Sequence, residues 1–291
     1  MNSVAVSPSA PKIPLPPGAC DTHTHVFGPL ERFPLAIAGS YEPPRAPFDV
    51  HRAMLDGVGF SCAVLVQPAP YALDCGALVD ACARAPDRLR GIAVANRQTS
   101  EVSLQELRRR GVSGLRFVEV ADPQGGGRYR GSVGFDEFKS LAPQMAAVGL
   151  HAQIWADCDR IAAGAEELLS LGVPIVVDHM GKPDVTRGAG DPAFARLVAL
   201  AAEGRLWVKL SVCRASKQFP DYDDVRPLHD ALIAAAPNRL LWGSDWPHVR
   251  MGALTPDVGH LVDLFDRWIG HDTDLRRQIM VDNPRNLYGF A

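Results

Sequence analysis

The sequence predicts a single (β/α)8 barrel of the TIM type, on three observations. Short β-rich runs alternate with helix patterns from end to end, and several of those runs are apolar without a break. The 291 residues also suit one barrel, which needs about 250. Strands covered by helices on both faces lose the polar/apolar alternation of half-exposed strands, so continuous apolar runs are the expected signature.

In chain order the eight runs begin with "ACDTHTH" (19–25), "SCAVLVQ" (61–67), "RLRGIAVA" (88–95) and "VSGLRFVE" (112–119). They continue with "GLHAQIWA" (149–156), "VPIVVDHM" (173–180), "RLWVKLS" (205–211) and "RLLWGSD" (239–245). Helix patterns separate them. "SLQELRRRG" stops on Gly111, and "DRIAAGAEELLSLG" groups Ile161, Leu168 and Leu169 before Gly172. "FDEFKSLAPQMAAVG" has helical spacing, with Pro143 expected to bend or restart it. "DLRRQIMVDNPRNLYGF" reads as a last helix broken at Pro284, with a second turn packing Leu287 and Tyr288. A doubly wound open sheet is the alternative, but it would normally bring a glycine-rich phosphate turn after the first strand, and none follows. Residues 1–18, with five prolines, read as a loose N-terminal arm, and 19–291 as the barrel, with no linker or repeat.

A formal charge of −3 from 30 basic and 33 acidic side chains gives no global field for nucleic acid or membranes. No apolar run is long enough to span a bilayer, and the arm lacks the core of a signal peptide. The six cysteines are scattered without a CxxC pair, as expected of reduced thiols in a cytoplasmic protein. No oligomeric state follows from the sequence.

In a barrel of this kind the active site lies at the C-terminal ends of the strands. His23 and His25 end strand one, Gln67 ends strand two, Arg116 and Glu119 lie late in strand four, and Gln153 lies late in strand five. His179 ends strand six, Arg214 follows strand seven and Asp245 ends strand eight. The spacing of His23 and His25 turns both imidazoles the same way. Each residue alone also has an ordinary structural reading: hydrogen-bonded interior histidines, a salt bridge from Arg116 to Glu119 or a neighbour, and a helix N-cap at Asp245. A carboxylate ending an apolar strand must be paired or used, which sharpens the reading of Asp245.

The segments "DTHTHVFGP", "VDHMGKPD", "WGSDWPH" and "NPRNLYGF" together resemble the amidohydrolase superfamily, in the branch containing the 2-pyrone-4,6-dicarboxylate lactonases, from about Cys20 to the C-terminus. The resemblance implies a hydrolase that adds water to a lactone carbonyl, with a small anionic lactone as substrate. It places His23, His25 and His179 around the carbonyl and makes Asp245 the activator of water. Arg116, Arg214 and Tyr41 match positions that hold the substrate carboxylates, a task suited to the planar guanidinium fork. Gln67 and Gln153 join them as polar strand-end candidates. The chain departs from the branch where a second basic residue should follow the strand-four arginine, since Asp122 stands near that place. Arg128 and Arg130 in "GGGRYRG" are expected to close over the mouth and supply the missing cation.

Metal-dependent relatives carry a histidine at the end of strand five. Here His151 begins that strand and Gln153 follows it, so catalysis without metal is expected. One zinc or other divalent ion on His23, His25, His179 and Asp245 is the alternative. Three rival functions remain open: a zinc-dependent lactonase for a sugar acid or sulfonated muconolactone, a metal-dependent barrel decarboxylase, and a ligand-binding barrel without chemistry.

Overall fold

The computed structural model describes residues 7–37, 41–125, 127–216 and 218–291. Its eight strands are β1 (Cys20–Thr24), β2 (Cys62–Val66), β3 (Leu89–Ala93), β4 (Val112–Val118), β5 (His151–Trp155), β6 (Ile175–Val177), β7 (Trp207–Leu210) and β8 (Leu240–Trp242). Each falls inside its predicted run. They pair in parallel in the order β1 to β8. A Thr24–Trp246 bridge brings the last strand back to the first, with Asp245 N donating to His23 O (2.8 Å) and His25 N to Trp246 O (2.9 Å). Parallel neighbours need crossovers, and a helix follows every strand.

Apolar side chains fill the space inside the strands, where Val64, Ile92, Val176 and Leu241 meet Tyr288 and Phe290 from the C-terminal segment. A second, larger core lies between strands and helices. Two local expectations are corrected. The helix Phe135–Val148 runs unbroken through Pro143. Proline removes one N–H there, but Phe138, Leu141, Ala142 and Met145 remain buried on one face and keep the helix in place. The tail is not broken at Pro284 either. Thr273–Arg277 passes through a π-turn at Gln278–Asp282 into Asn283–Tyr288, where Pro284 occupies the first turn, the position that tolerates it.

The proline-rich arm has no regular element over residues 7–18, yet it is tethered. Ser9 N and Oγ donate to Asp257 (2.8 and 2.7 Å), and Lys12 N donates to Asp263 (2.7 Å). Arg276 donates to the carbonyls of Pro14 and Ile13. Among the described residues no helix is long and apolar enough to cross a membrane.

Candidate active site

The seam between β1 and β8 builds the centre of the site. Its two backbone hydrogen bonds set His23, His25 and Asp245 side by side, and Gly243 allows the approach: a Cβ there would lie 2.8 Å from that of His23. Asp245 and His179 sit just beyond their strands with left-handed backbones, φ 65° and 52°. Such conformations cost about 1–3 kcal/mol each in residues with a Cβ and concentrate at functional sites. Three imidazole Nε2 atoms converge on one oxygen, Asp245 Oδ1: His25 at 3.3 Å, His23 at 3.4 Å and His179 at 3.9 Å. The other oxygen, Oδ2, accepts a short hydrogen bond from Arg214 Nε. Asp245 is therefore no helix cap. Burial pushes its carboxyl toward the neutral acid, but Arg214 and the hydrogen bond from His25 outweigh that and hold it well below the usual range.

Beneath this cluster lies a fully buried ionic layer. Asp178, directly before His179, has Oδ1 3.2 Å from His23 Nδ1 and 3.6 Å from Lys209 Nζ. Its Oδ2 accepts from Arg116 Nε and Gln153 Nε2, both at 3.2 Å. Lys209, in the middle of β7, also donates to Thr22 O (2.7 Å) and Gln153 Oε1 (2.8 Å). Burial lowers the Lys209 ammonium to about 8. Burial likewise holds His179 near 4 and His23 well below the ordinary imidazole range, so both rings are neutral at pH 7.

Above the cluster a cavity of about 240 Å³ opens to solvent. His25, His179 and Asp245 form part of its lining, with Tyr41, Arg116, Arg214, Tyr129, Trp155 and Arg250 among the wall residues. Arg116 lies over the Trp155 ring at 5.2 Å, and Trp155 packs against Tyr129 at 5.4 Å. The structure thus brings together His23, His25, His179, Asp245, Arg116, Arg214 and Tyr41. It leaves four candidates elsewhere. Gln67 is fully engaged as a clamp, donating to Ala72 O and Asp74 O and accepting from Val94 N. Gln153 lies below, inside the ionic layer. Arg128 turns outward to Glu119 and Asp136. Arg130 is exposed and is not part of the wall. From "GGGRYRG" it is the tyrosine between the arginines that reaches the cavity. Arg116 is paired as its structural reading required, with the neighbouring Asp178, while Glu119 pairs with Arg128.

Sequence reading missed Asp178, Lys209, Tyr129, Trp155 and Arg250. Lys209 had a visible signal, an ammonium inside the apolar run "LWVKL" that burial penalises unless it is paired. Arg250 had none, because its place depends on the path of the loop after β8.

The donor set fits a divalent ion. His23, His25 and Asp245 offer ligand atoms within 4.8 Å of one another, and His23 Nε2 is buried without a hydrogen bond. His25 Nδ1 lies 2.7 Å from Val66 O, which makes that nitrogen the N–H donor. His25 Nε2 then faces the Asp245 carboxylate at 3.3 Å, a contact that needs a proton on Nε2 or a cation between the two. The expectation of a metal-free centre rested on the missing strand-five histidine. His151 does lie away from the site, packed on Tyr288, but the set closes without that strand.

The amidohydrolase family model matches residues 20–290. The chain is 35% identical to the 2-pyrone-4,6-dicarboxylate hydrolase of Comamonas testosteroni, over 97% of this chain and 93% of that protein. It is 36% identical to the 4-sulfomuconolactone hydrolase of Rhizobium radiobacter, over 94% and 91%. A crystal structure from Pseudomonas putida, described as a 2-pyrone-4,6-dicarboxylic acid hydrolase, superposes with a TM-score of 0.80 at 31% identity, covering 95% of this chain and 99% of that one. On this match, spanning nearly its whole length, the chain belongs to the amidohydrolase family.

Proposed function

We propose that this protein hydrolyses the ring of 2-pyrone-4,6-dicarboxylate or a closely related carboxylated lactone, in the breakdown of aromatic compounds. The observation that carries the reading is the convergence of three imidazoles on Asp245 at the base of a cavity walled by arginines and aromatic rings. Relatives named for lactone hydrolysis over nearly the full chain support it. The six cysteines are free, which suits the cytoplasm.

The chemistry follows from the residues. Arg214 and Arg116 face the cavity and draw a carboxylated ring toward the cluster. Asp245, held ionised, accepts a proton from water as the water oxygen bonds to the lactone carbonyl carbon. His25 and His179 line the cavity beside Asp245 and stabilise the negative oxygen of the tetrahedral intermediate, an effect worth about 3 kcal/mol per well-placed donor. The bond from that carbon to the ring oxygen then breaks. The ring oxygen departs as an enolate, which takes up the proton from Asp245, and the new carboxylic acid loses its own proton to solvent to become a carboxylate. Asp178, fixed by Arg116 and Lys209, orients His23 from below. An ion bound by His23, His25, His179 and Asp245 would polarise the carbonyl.

Loss of pyrone absorbance on adding the purified protein to 2-pyrone-4,6-dicarboxylate tests this reading. Rapid bleaching with uptake of one water per ring supports it; an unchanged spectrum, or release of carbon dioxide, refutes it.

A further inference from the structure

Two of the arginines on the cavity wall are already paired with carboxylates. Arg116 is bound to Asp178, and Arg214 is bound to Asp245 while its Nη1 donates to Val249 O (3.0 Å). Arg250 differs. It lies in the loop after β8, holds a left-handed backbone of φ 66°, and is an exposed part of the wall. Among the described residues no carboxylate forms an ion pair with it. The acid whose charge it feels, Asp122, has its two oxygens taken by the backbone N–H groups of Gln124 and Arg130. The side-chain contact of Arg250 is with a neutral group: Nη1 donates to the Tyr129 hydroxyl at 3.4 Å. That contact joins the loop after β4 to the loop after β8 beside the cavity. Arg116, Trp155, Tyr129 and Arg250 then form a continuous wall, with a cation at each end and two aromatic rings between.

The charges on the wall and floor do not cancel. Three guanidinium groups, Arg116, Arg214 and Arg250, line the cavity with one carboxylate, Asp245, while Asp178 stands behind Arg116 and Asp122 near Arg250. The lining therefore presents more cations than carboxylates to a ligand. One anionic group of the substrate belongs with Arg214 beside the reacting carbon, and a flat ring against Trp155 and Tyr129 would carry a second toward Arg250.

We propose that Arg250 is the specificity-determining residue for a second anionic group on the substrate, a carboxylate or sulfonate on the ring edge away from Asp245. It does the work that the sequence had assigned to Arg128 and Arg130. The proposal rests on the ring-opening reading above for the identity of the ring, but not for the presence of the anion site.

The test has a binding arm and a turnover arm. In the first, calorimetry compares isophthalate, a flat meta-dicarboxylate with no ester to hydrolyse, with benzoate. The wild-type protein should prefer isophthalate, and Arg250→Gln should weaken isophthalate by about tenfold while leaving benzoate within about twofold, as for the loss of one charge-assisted hydrogen bond. Arg250→Lys should recover part of the loss. In the second arm, Arg250→Gln raises KM for the dicarboxylated pyrone by a similar factor with kcat nearly constant, the pattern of lost uniform binding. Equal weakening of both ligands, or no wild-type preference, overturns the proposal. So does loss of the preference in Arg130→Gln but not in Arg250→Gln. A wild-type protein that binds isophthalate as expected yet opens no pyrone refutes the ring-opening reading and leaves the anion site standing.

Discussion

Asp245 ties the site together, with three imidazoles at one oxygen and a guanidinium at the other. The contact between His25 and Asp245 makes a measurable demand, since one of the two must share a proton or a cation. Zinc added to chelator-stripped protein should raise the thermal midpoint, because a ligand at a hundred times its dissociation constant stabilises by about 2.7 kcal/mol. The rise should vanish in Asp245→Asn. An unmoved wild-type midpoint would assign the gap to a proton. Lys209 carries a second demand. Lys209→Met keeps an unbranched side chain one atom shorter but removes one of the cations that balance Asp178, and breaking a buried pair costs about 3–5 kcal/mol. Urea denaturation reads this directly, and a loss under about 1 kcal/mol would show the layer to be slack. At this scale the sequence was partly legible. His23, His25, His179 and Asp245 announced themselves because polar residues ending apolar strands need a use. Lys209 had the same kind of signal, unread. Gln67 and Gln153 show the converse, because the same strand-end logic cannot separate a side chain facing a ligand from one clamping a loop.

The elements were legible because the period of their apolar residues is a direct consequence of which faces are covered, and all eight strands fall within their predicted runs. Element ends were less so. The predicted runs for β6 and β8 extend to 180 and 245, whereas the strands stop at Val177 and Trp242 and the chain turns into left-handed backbone. Those turns are what aim His179 and Asp245 at the mouth. Proline at 143 and 284 misled for a shared reason, since its local penalty is outweighed by a buried face or absorbed at a helix start. The seam between β1 and β8 gives this scale its test. Gly243→Ala puts a methyl group 2.8 Å from the Cβ of His23, and overpacking of this kind costs about 1–3 kcal/mol. A lower thermal midpoint accompanied by reduced turnover is expected; a variant with unchanged turnover would mean that the seam does not position His23.

For the whole molecule, the barrel buries histidines that cannot easily take up protons. Burial lowers His51 and His151 to about 3 and His248 to about 4, against an ordinary value of 6.5. Between pH 6.5 and about 4 each binds a proton only in the unfolded chain, so each makes stability fall as pH falls. Asp21, raised to about 7 by burial, works against them, because it binds its proton first in the folded state. His179, near 4, and His23 add to the three, so the imidazoles outnumber Asp21 and stability falls with pH by more than the effect of one proton, about 1.4 kcal/mol per pH unit. Denaturation midpoints at pH 7, 6 and 5 should therefore drop progressively, and a flat profile would contradict the burial of neutral imidazoles. The architecture itself was legible from length and alternation, while the identity of the cavity wall was not. Arg250 and Tyr129 come from loops far apart in sequence, and only the closed ring of strands brings them together. The measurement closest to the central claim is the rate of 2-pyrone-4,6-dicarboxylate ring opening by Asp245→Asn beside the wild type. The account predicts rapid wild-type turnover and a fall in kcat of about a thousandfold in the variant, with KM changed only a few-fold. A variant that turns over near the wild-type rate would remove Asp245 from the chemistry and contradict the account.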